Sequence, residues 1–293
     1  MRYLAVVVAS VLFGIFPSIQ DGVLLTGVTP LALVVVCNGI SGLLGLAGAA
    51  ARREELRVGK RQLLDLAMLG VIGLFLTDYL LNVAYTMIPV GYVTMIHFMY
   101  PSLVCIAMAV IFREKLNGWK AAAMVCSAAG LAFLAGGGFT GRPAGILVAF
   151  LTGVAYAFYM IASDRSSVGG LPVFTRVFYS NLFVVLTALC AAAAGADGGA
   201  MIFPRTGGAW LSCLAVGAML CAGTYLINIG IIRLGAGTAS FINMVEPITS
   251  LAVSAAVYRY RIGALNLLGC ALILGSLAFA ARGDSKAAVK AAG

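Results

Sequence analysis

Charge is what this sequence has least of. Only 10% of its 293 residues are Asp, Glu, Lys or Arg, and 62% are hydrophobic. An ordinary soluble domain carries about 25% charged residues. No soluble fold of this length has interior enough to hide so much apolar surface, so lipid must solvate most of the chain. Histidine occurs once, at His97. One histidine, with no H-E-x-x-H and no G-x-S-x-G, leaves little from which to build a metal site or a hydrolytic triad. There is no G-x-x-x-x-G-K-[ST] loop, and no loop is long enough to hold an ATPase domain. The seven cysteines are scattered through apolar runs without a C-x-x-C pair, which makes them small buried hydrophobes rather than disulfide or zinc ligands. An enzyme is therefore the weaker class, and neither cofactor nor metal is expected. The net charge of +9 is not a nucleic-acid patch, because the bases lie between hydrophobic runs, where topology signals are written.

Those runs dominate what remains. A membrane span needs about 20 apolar residues. Ten runs qualify: 3–23, 30–51, 63–87, 91–112, 119–138, 143–163, 172–194, 208–232, 236–258 and 262–281. The first resembles a signal peptide but lacks a small-x-small cleavage site before the next run, and reads as a retained helix. With the N-terminus inside, the cytoplasmic side receives fifteen bases: Arg2, Arg52, Arg53, Arg57, Lys60, Arg61, Arg113, Lys115, Lys120, Arg165, Arg176, Arg233, Arg282, Lys286 and Lys290. The outside receives four: Arg142, Arg205, Arg259 and Arg261. That bias predicts both termini in the cytoplasm. Gly39, Gly42, Gly45 and Gly48 form a stripe on the second run that predicts close packing of another helix. The last residues, 283–293, read as an unstructured cytoplasmic tail.

One stretch recurs. Thr77–Leu103 reappears 146 residues later as Gly223–Thr249 without a gap. Tyr79 falls on Tyr225, Asn82 on Asn228, Gly91 on Gly237 and Pro101 on Pro247. Thr94 matches Ser240, His97 matches Asn243, and Tyr100 matches Glu246. Equivalent positions are five spans apart, an odd number, so the two halves (1–140 and 141–282) must have opposite orientations. The expected fold is an all-α integral membrane protein: ten transmembrane helices as two inverted five-helix repeats around a central cavity. Inverted halves give a direct route to alternating access, since each can adopt the other's conformation.

Polar groups inside spans are costly and mark the places where function is expected. Asp78, Asn82 and Tyr85 share one face of the third span by their i, i+4, i+7 spacing. Thr94, His97 and Tyr100 line the fourth, and Ser240, Asn243 and Glu246 the ninth. Two such stripes facing each other would enclose a substrate cavity. Tyr79, Tyr100, Tyr156, Tyr159 and Phe241 would give it aromatic walls, suited to an amphiphilic or aromatic solute. The expected lining is Tyr79, Asn82, His97, Tyr100, Tyr156, Tyr159, Tyr225, Asn228, Asn243 and Glu246. Pro89, Gly91, Pro101, Gly235, Gly237 and Pro247 are the expected hinges.

The pattern resembles the drug/metabolite transporter superfamily in its ten-helix EamA-type branch. The resemblance rests on Pro101, the run Phe112-Arg113-Glu114-Lys115-Leu116 and Gly130 in the first half, and on Glu246-Pro247 and Gly269 to Gly275 in the second. Tyr260 stands where the family carries a second glutamate. Within the superfamily the chain looks most like bacterial exporters of aromatic amino acids. The resemblance implies a bacterial inner-membrane exporter of small metabolites, with a cavity lined by spans 1, 3, 4, 6, 8 and 9. The partners expected are the lipid bilayer and a small-molecule substrate, with no nucleic acid, and a monomer suffices because both halves are in one chain. A multidrug or organic-cation exporter is the second transporter reading, and a membrane-embedded enzyme the alternative of a different class.

Overall fold

A computed structural model describes residues 2–88, 90–114, 117–134, 142–258 and 263–292. The regular structure among the described residues is helical. In the first half, α1 is Arg2–Leu24, α2 is Pro30–Ala51 and α3 is Lys60–Met87. After them come α4 (Val90–His97), α5 (Tyr100–Ile111) and α6 (Gly118–Leu134). In the second half, α7 is Pro143–Arg165, α8 is Val173–Ala193 and α9 is Gly207–Asn243. α10 is Val245–Tyr258 and α11 is Ala264–Ala292. Among the described residues, six helices are long and apolar enough to cross a membrane: α1, α2, α3, α7, α8 and the stretch from Gly207 to Val253. Shorter apolar stretches lie in α5, α6 and α11.

The two expected spans that carry the polar stripes are not continuous helices. The fourth divides between His97 and Tyr100, the ninth between Asn243 and Val245. Each break falls where proline chemistry puts it. Pro101 and Pro247 lack an N–H, and each ring crowds the carbonyl four residues back, which belongs to His97 and Asn243. The preceding helix ends at those two residues. A third departure is Gly235, at φ 78° and ψ 159° inside α9, a backbone setting open in practice only to glycine. The chain bends there, and the Asp164 carboxylate accepts the Ala236 N–H at 3.3 Å, restarting the helix beyond the bend.

Packing follows from small residues. Gly42, Gly45 and Gly48 bring α2 against α8, where a Cβ would meet Asn181, Val177 and Phe174 in turn. Numbers rise along one helix as they fall along the other, so this pair is antiparallel. α6 and α11 are likewise antiparallel: Asn117 donates to the Gly283 carbonyl at 3.0 Å, and Trp119 lies 5.8 Å from Phe279. Gly130 meets Ile273. α1 packs against α9 and α10, while α7 packs against α3, α4 and α5. Both do so at the breaks. A Cβ on Gly14 of α1 would lie 2.7 Å from the Glu246 carbonyl, and one on Gly153 of α7 would lie 3.0 Å from the His97 carbonyl.

The basic segments gather at one end of the bundle. Arg52 meets Tyr225 there, Glu54 meets Thr175, Asp65 meets Ser167, and Glu114 pairs with Arg165. At the opposite end the turn after α1 joins the segment before α9 through Thr29 and Ile202. The tail departs from expectation, since α11 continues to Ala292. Its alanines and lysines are strong helix formers and extend the last apolar helix.

Candidate functional site

The breaks in the two halves meet at the middle of the bundle, and a cavity lies beside them. Two adjoining chambers share Phe16, Asp78, Leu81, His97 and Glu246. The outer chamber runs up α1 from Gly14 to Gln20 and up α3 from Asp78 to Tyr85, toward the end away from the basic segments. Asn82 and Thr94 line it. The inner chamber goes deeper, to Asn38, Tyr156, Tyr159, Asn181 and Thr224. Its walls are aromatic and aliphatic, with a few amides and two carboxyls. No lysine or arginine lines either chamber among the described residues.

Each carboxyl has an amide neighbour. Asn38 Nδ2 donates to Asp78 at 3.3 Å, and Asn243 Nδ2 to Glu246 at 3.1 Å. His97 sits among rings, with Tyr100 and Tyr156 centroids at 5.5 and 5.6 Å. Its Nδ1 lies 3.0 Å from Thr152 Oγ1, which fixes the imidazole against α7.

Below the chambers, toward the basic end, two hydrogen-bonded locks close the bundle. Asn243 Nδ2 donates to the Tyr100 hydroxyl at 3.0 Å, and Ser10 donates to Asn243 Oδ1 at 2.9 Å, tying α1, α5 and α9 together. Asn228 Nδ2 donates to the Tyr159 hydroxyl at 2.8 Å, tying α9 to α7. All five of these side chains are buried. Tyr100 and Tyr156 meet edge to face at 4.7 Å, and Tyr156 stacks on Tyr159 at 5.7 Å, so an aromatic column floors the cavity.

The residues expected from the sequence therefore separate into three groups. Asn82, His97, Tyr156, Tyr159 and Glu246 line the chambers. Tyr100, Asn228 and Asn243 form the floor. Tyr79 and Tyr225 do neither. Tyr79 stacks on Phe75 at 5.6 Å, and Tyr225 stacks on Phe174 at 4.3 Å while accepting a hydrogen bond from Arg52 at the basic surface. The two stripes do not face each other along their whole length, because antiparallel packing carries equivalent residues far from the breaks to opposite ends. Phe241 is also a core residue, 1% exposed. Of the expected hinges, Pro101, Gly235 and Pro247 stand at departures from regular helix. Gly91 and Gly237 lie within α4 and α9, and Pro89 lies outside the described residues.

Sequence reasoning missed Asn38, Thr152 and Asn181, which sit in spans without a clear repeat to flag them, and Thr224, which stands in the repeat at the position matching Asp78. It also placed Arg176 among the loop bases. Arg176 is instead the fourth residue of α8 and only 2% exposed, because the start of that helix packs beneath the Tyr159 lock.

The helices and their cavity define a multi-pass membrane protein. Comparison with known proteins fits that class. The sequence profile of the EamA-like transporter family matches residues 1–136 and again 143–282, so the chain belongs to that family. A solved structure described as "Crystal structure of protein" aligns with a TM-score of 0.79 over 95% of this chain and 96% of its own. At 23% identity that likeness speaks for the fold alone. No curated protein matches the chain.

Proposed function

We propose that the protein is a secondary transporter that exports small amphiphilic metabolites, foremost phenylalanine, tyrosine and tryptophan, by alternating access. The observation that carries this reading is the cavity itself. Aromatic walls, two carboxyls and a set of amides meet at mid-bundle, as suits an aromatic ring bearing an ammonium group. The chambers lead toward one end, and the locks between Tyr100 and Asn243 and between Tyr159 and Asn228 close the other. In this reading the basic end is cytoplasmic, the membrane is the bacterial inner membrane, and the state is outward-facing. Two inverted five-helix halves are supported by the antiparallel pairing of α2 with α8 and of α6 with α11. The matching breaks after His97 and Asn243 support them too. One chain holds both halves, and a monomer suffices.

Counterflow tests the substrate. Liposomes holding the purified protein and unlabelled phenylalanine should accumulate labelled phenylalanine saturably, with tryptophan and tyrosine competing and glutamate not. Absence of counterflow by folded protein rejects aromatic amino acids.

The two carboxyls favour a second reading, an exporter of organic cations. It predicts that Glu246→Gln abolishes flux of a lipophilic cation while sparing that of a zwitterion.

A further inference from the structure

Among the described residues, Arg176 is the one guanidinium sealed inside the bundle. It is 2% exposed, and its only hydrogen bond among the described residues runs from Nη2 to the Ser163 carbonyl at 2.9 Å. Nε and Nη1 are buried without a partner. Five side-chain polar atoms among the described residues are in that condition: Arg176 Nε and Nη1 are two of them, and Ser163 Oγ and Ser166 Oγ lie at the end of α7, whose Ser163 carbonyl holds Nη2. Leaving such donors unmatched costs stability, and a buried charge is dispensable for packing, since apolar residues of similar volume do that at least as well. The nearby acids are engaged elsewhere. Asp164 lies within electrostatic reach of Arg176, but its hydrogen bonds go to the Ala236 N–H and Arg165 Nε, while Glu54 takes Thr175, Asp65 takes Ser167, and Glu114 pairs with Arg165.

The position is as telling as the missing partners. Asn181, on the inner chamber, lies five residues further along α8, about 7.5 Å at helical rise. Ser163 lies one turn beyond Tyr159 on α7. The junction therefore sits just past the Asn228–Tyr159 lock, on the path a solute would take between the basic end and the cavity. A guanidinium keeps its charge and recognises carboxylates.

We propose that this junction is a carboxylate site: when the basic end opens, Arg176 with Ser163 and Ser166 holds the carboxylate of the transported solute. The inference rests on the transport reading above and deepens it. The ammonium group of a zwitterion meets Asp78 and Glu246 in one state, and its carboxylate meets Arg176 in the other.

Two measurements test it. The first needs no substrate: purified protein in liposomes is labelled with phenylglyoxal, and modification of the Arg176 peptide is read by mass spectrometry. Labelling should be slow and several-fold slower in acetate than in chloride of equal ionic strength. No labelling under any condition, or labelling indifferent to acetate, overturns the proposal. The second is sided counterflow with Arg176→Gln and Arg176→Lys. Arg176→Gln should raise the half-saturating phenylalanine concentration at the basic end about tenfold, the worth of one hydrogen bond to a charged group, and leave the other end unchanged. Arg176→Lys should recover part of the loss. Equal effects at both ends, or none, overturn the proposal. Should Arg176→Gln not fold, Arg176→Lys and the labelling decide. Acetate protection without wild-type phenylalanine counterflow would keep the carboxylate site and reject the aromatic substrate. Counterflow without protection would do the reverse.

Discussion

The two copies of the repeated hairpin begin from nearly the same pattern and end in different circumstances. Asn82 lines the open chamber and donates its amide to the Asp78 carbonyl on its own helix. Its copy Asn228 is buried and spans to Tyr159 on α7. Tyr79 stays within the apolar bundle, whereas Tyr225 stands at the basic surface under Arg52. Only beside the breaks do the copies converge, where Tyr100 from one and Asn243 from the other share a hydrogen bond. The copies thus differ by which end of the bundle is closed around them. A two-state carrier needs this asymmetry, because a lock made in one half must be exchanged for a lock in the other.

Variants at matched positions sharpen or break that comparison. The largest effect is expected at the bends. Gly235→Ala forces a side chain into a positive-φ setting at about 2 kcal/mol, while Gly237→Ala, whose Cβ would meet only Cys105 Sγ at 3.8 Å, should be nearly neutral. Thermal unfolding of the two reads the difference, and equal melting would remove Gly235 as a special joint. Next comes the pair Glu246 and Tyr100. Glu246→Gln should lower phenylalanine flux about tenfold, as loss of one charge-assisted contact would. Tyr100→Phe removes only the floor hydroxyl and should cost about threefold. Normal flux in both would take these residues out of the transport path. The smallest effect is at the asparagines. Asn228→Ala loosens the basic-end lock by about 1 kcal/mol and should speed Arg176 labelling about fivefold. Asn82→Ala, which breaks no bridge between helices among the described residues, should leave labelling as it was.

Much of this was legible in the chain. Hydrophobic run length located the six long apolar helices, and proline at 101 and 247 marked the breaks in two runs to within a turn, because ring and missing N–H act locally. The glycine stripe on α2 packs against α8 as its spacing predicted. The cavity was legible near the breaks, at His97 and Glu246, where the polar stripes lie close to the middle of the bundle. It was not legible at Tyr225, since which end of an antiparallel pair is closed is a property of the tertiary state and not of any stripe. Arg176 was invisible for a simpler reason. An arginine four residues into a helix looks the same in sequence whether it reaches water or is sealed beneath Tyr159.

The proline breaks have a mechanical meaning as well. A helix interrupted by a missing N–H cannot be mended by thermal motion, so the two joints at mid-bundle are permanent. Gly153 holds the His97 carbonyl, the one Pro101 frees, against protein rather than lipid, and Gly14 does the same for the Glu246 carbonyl beside the other break. If the protein works by the proposed alternating access, its change of shape amounts to swinging rods that are already cut. Its speed limit would be set by undocking a few hydroxyls and amides, with no helix required to melt along the way.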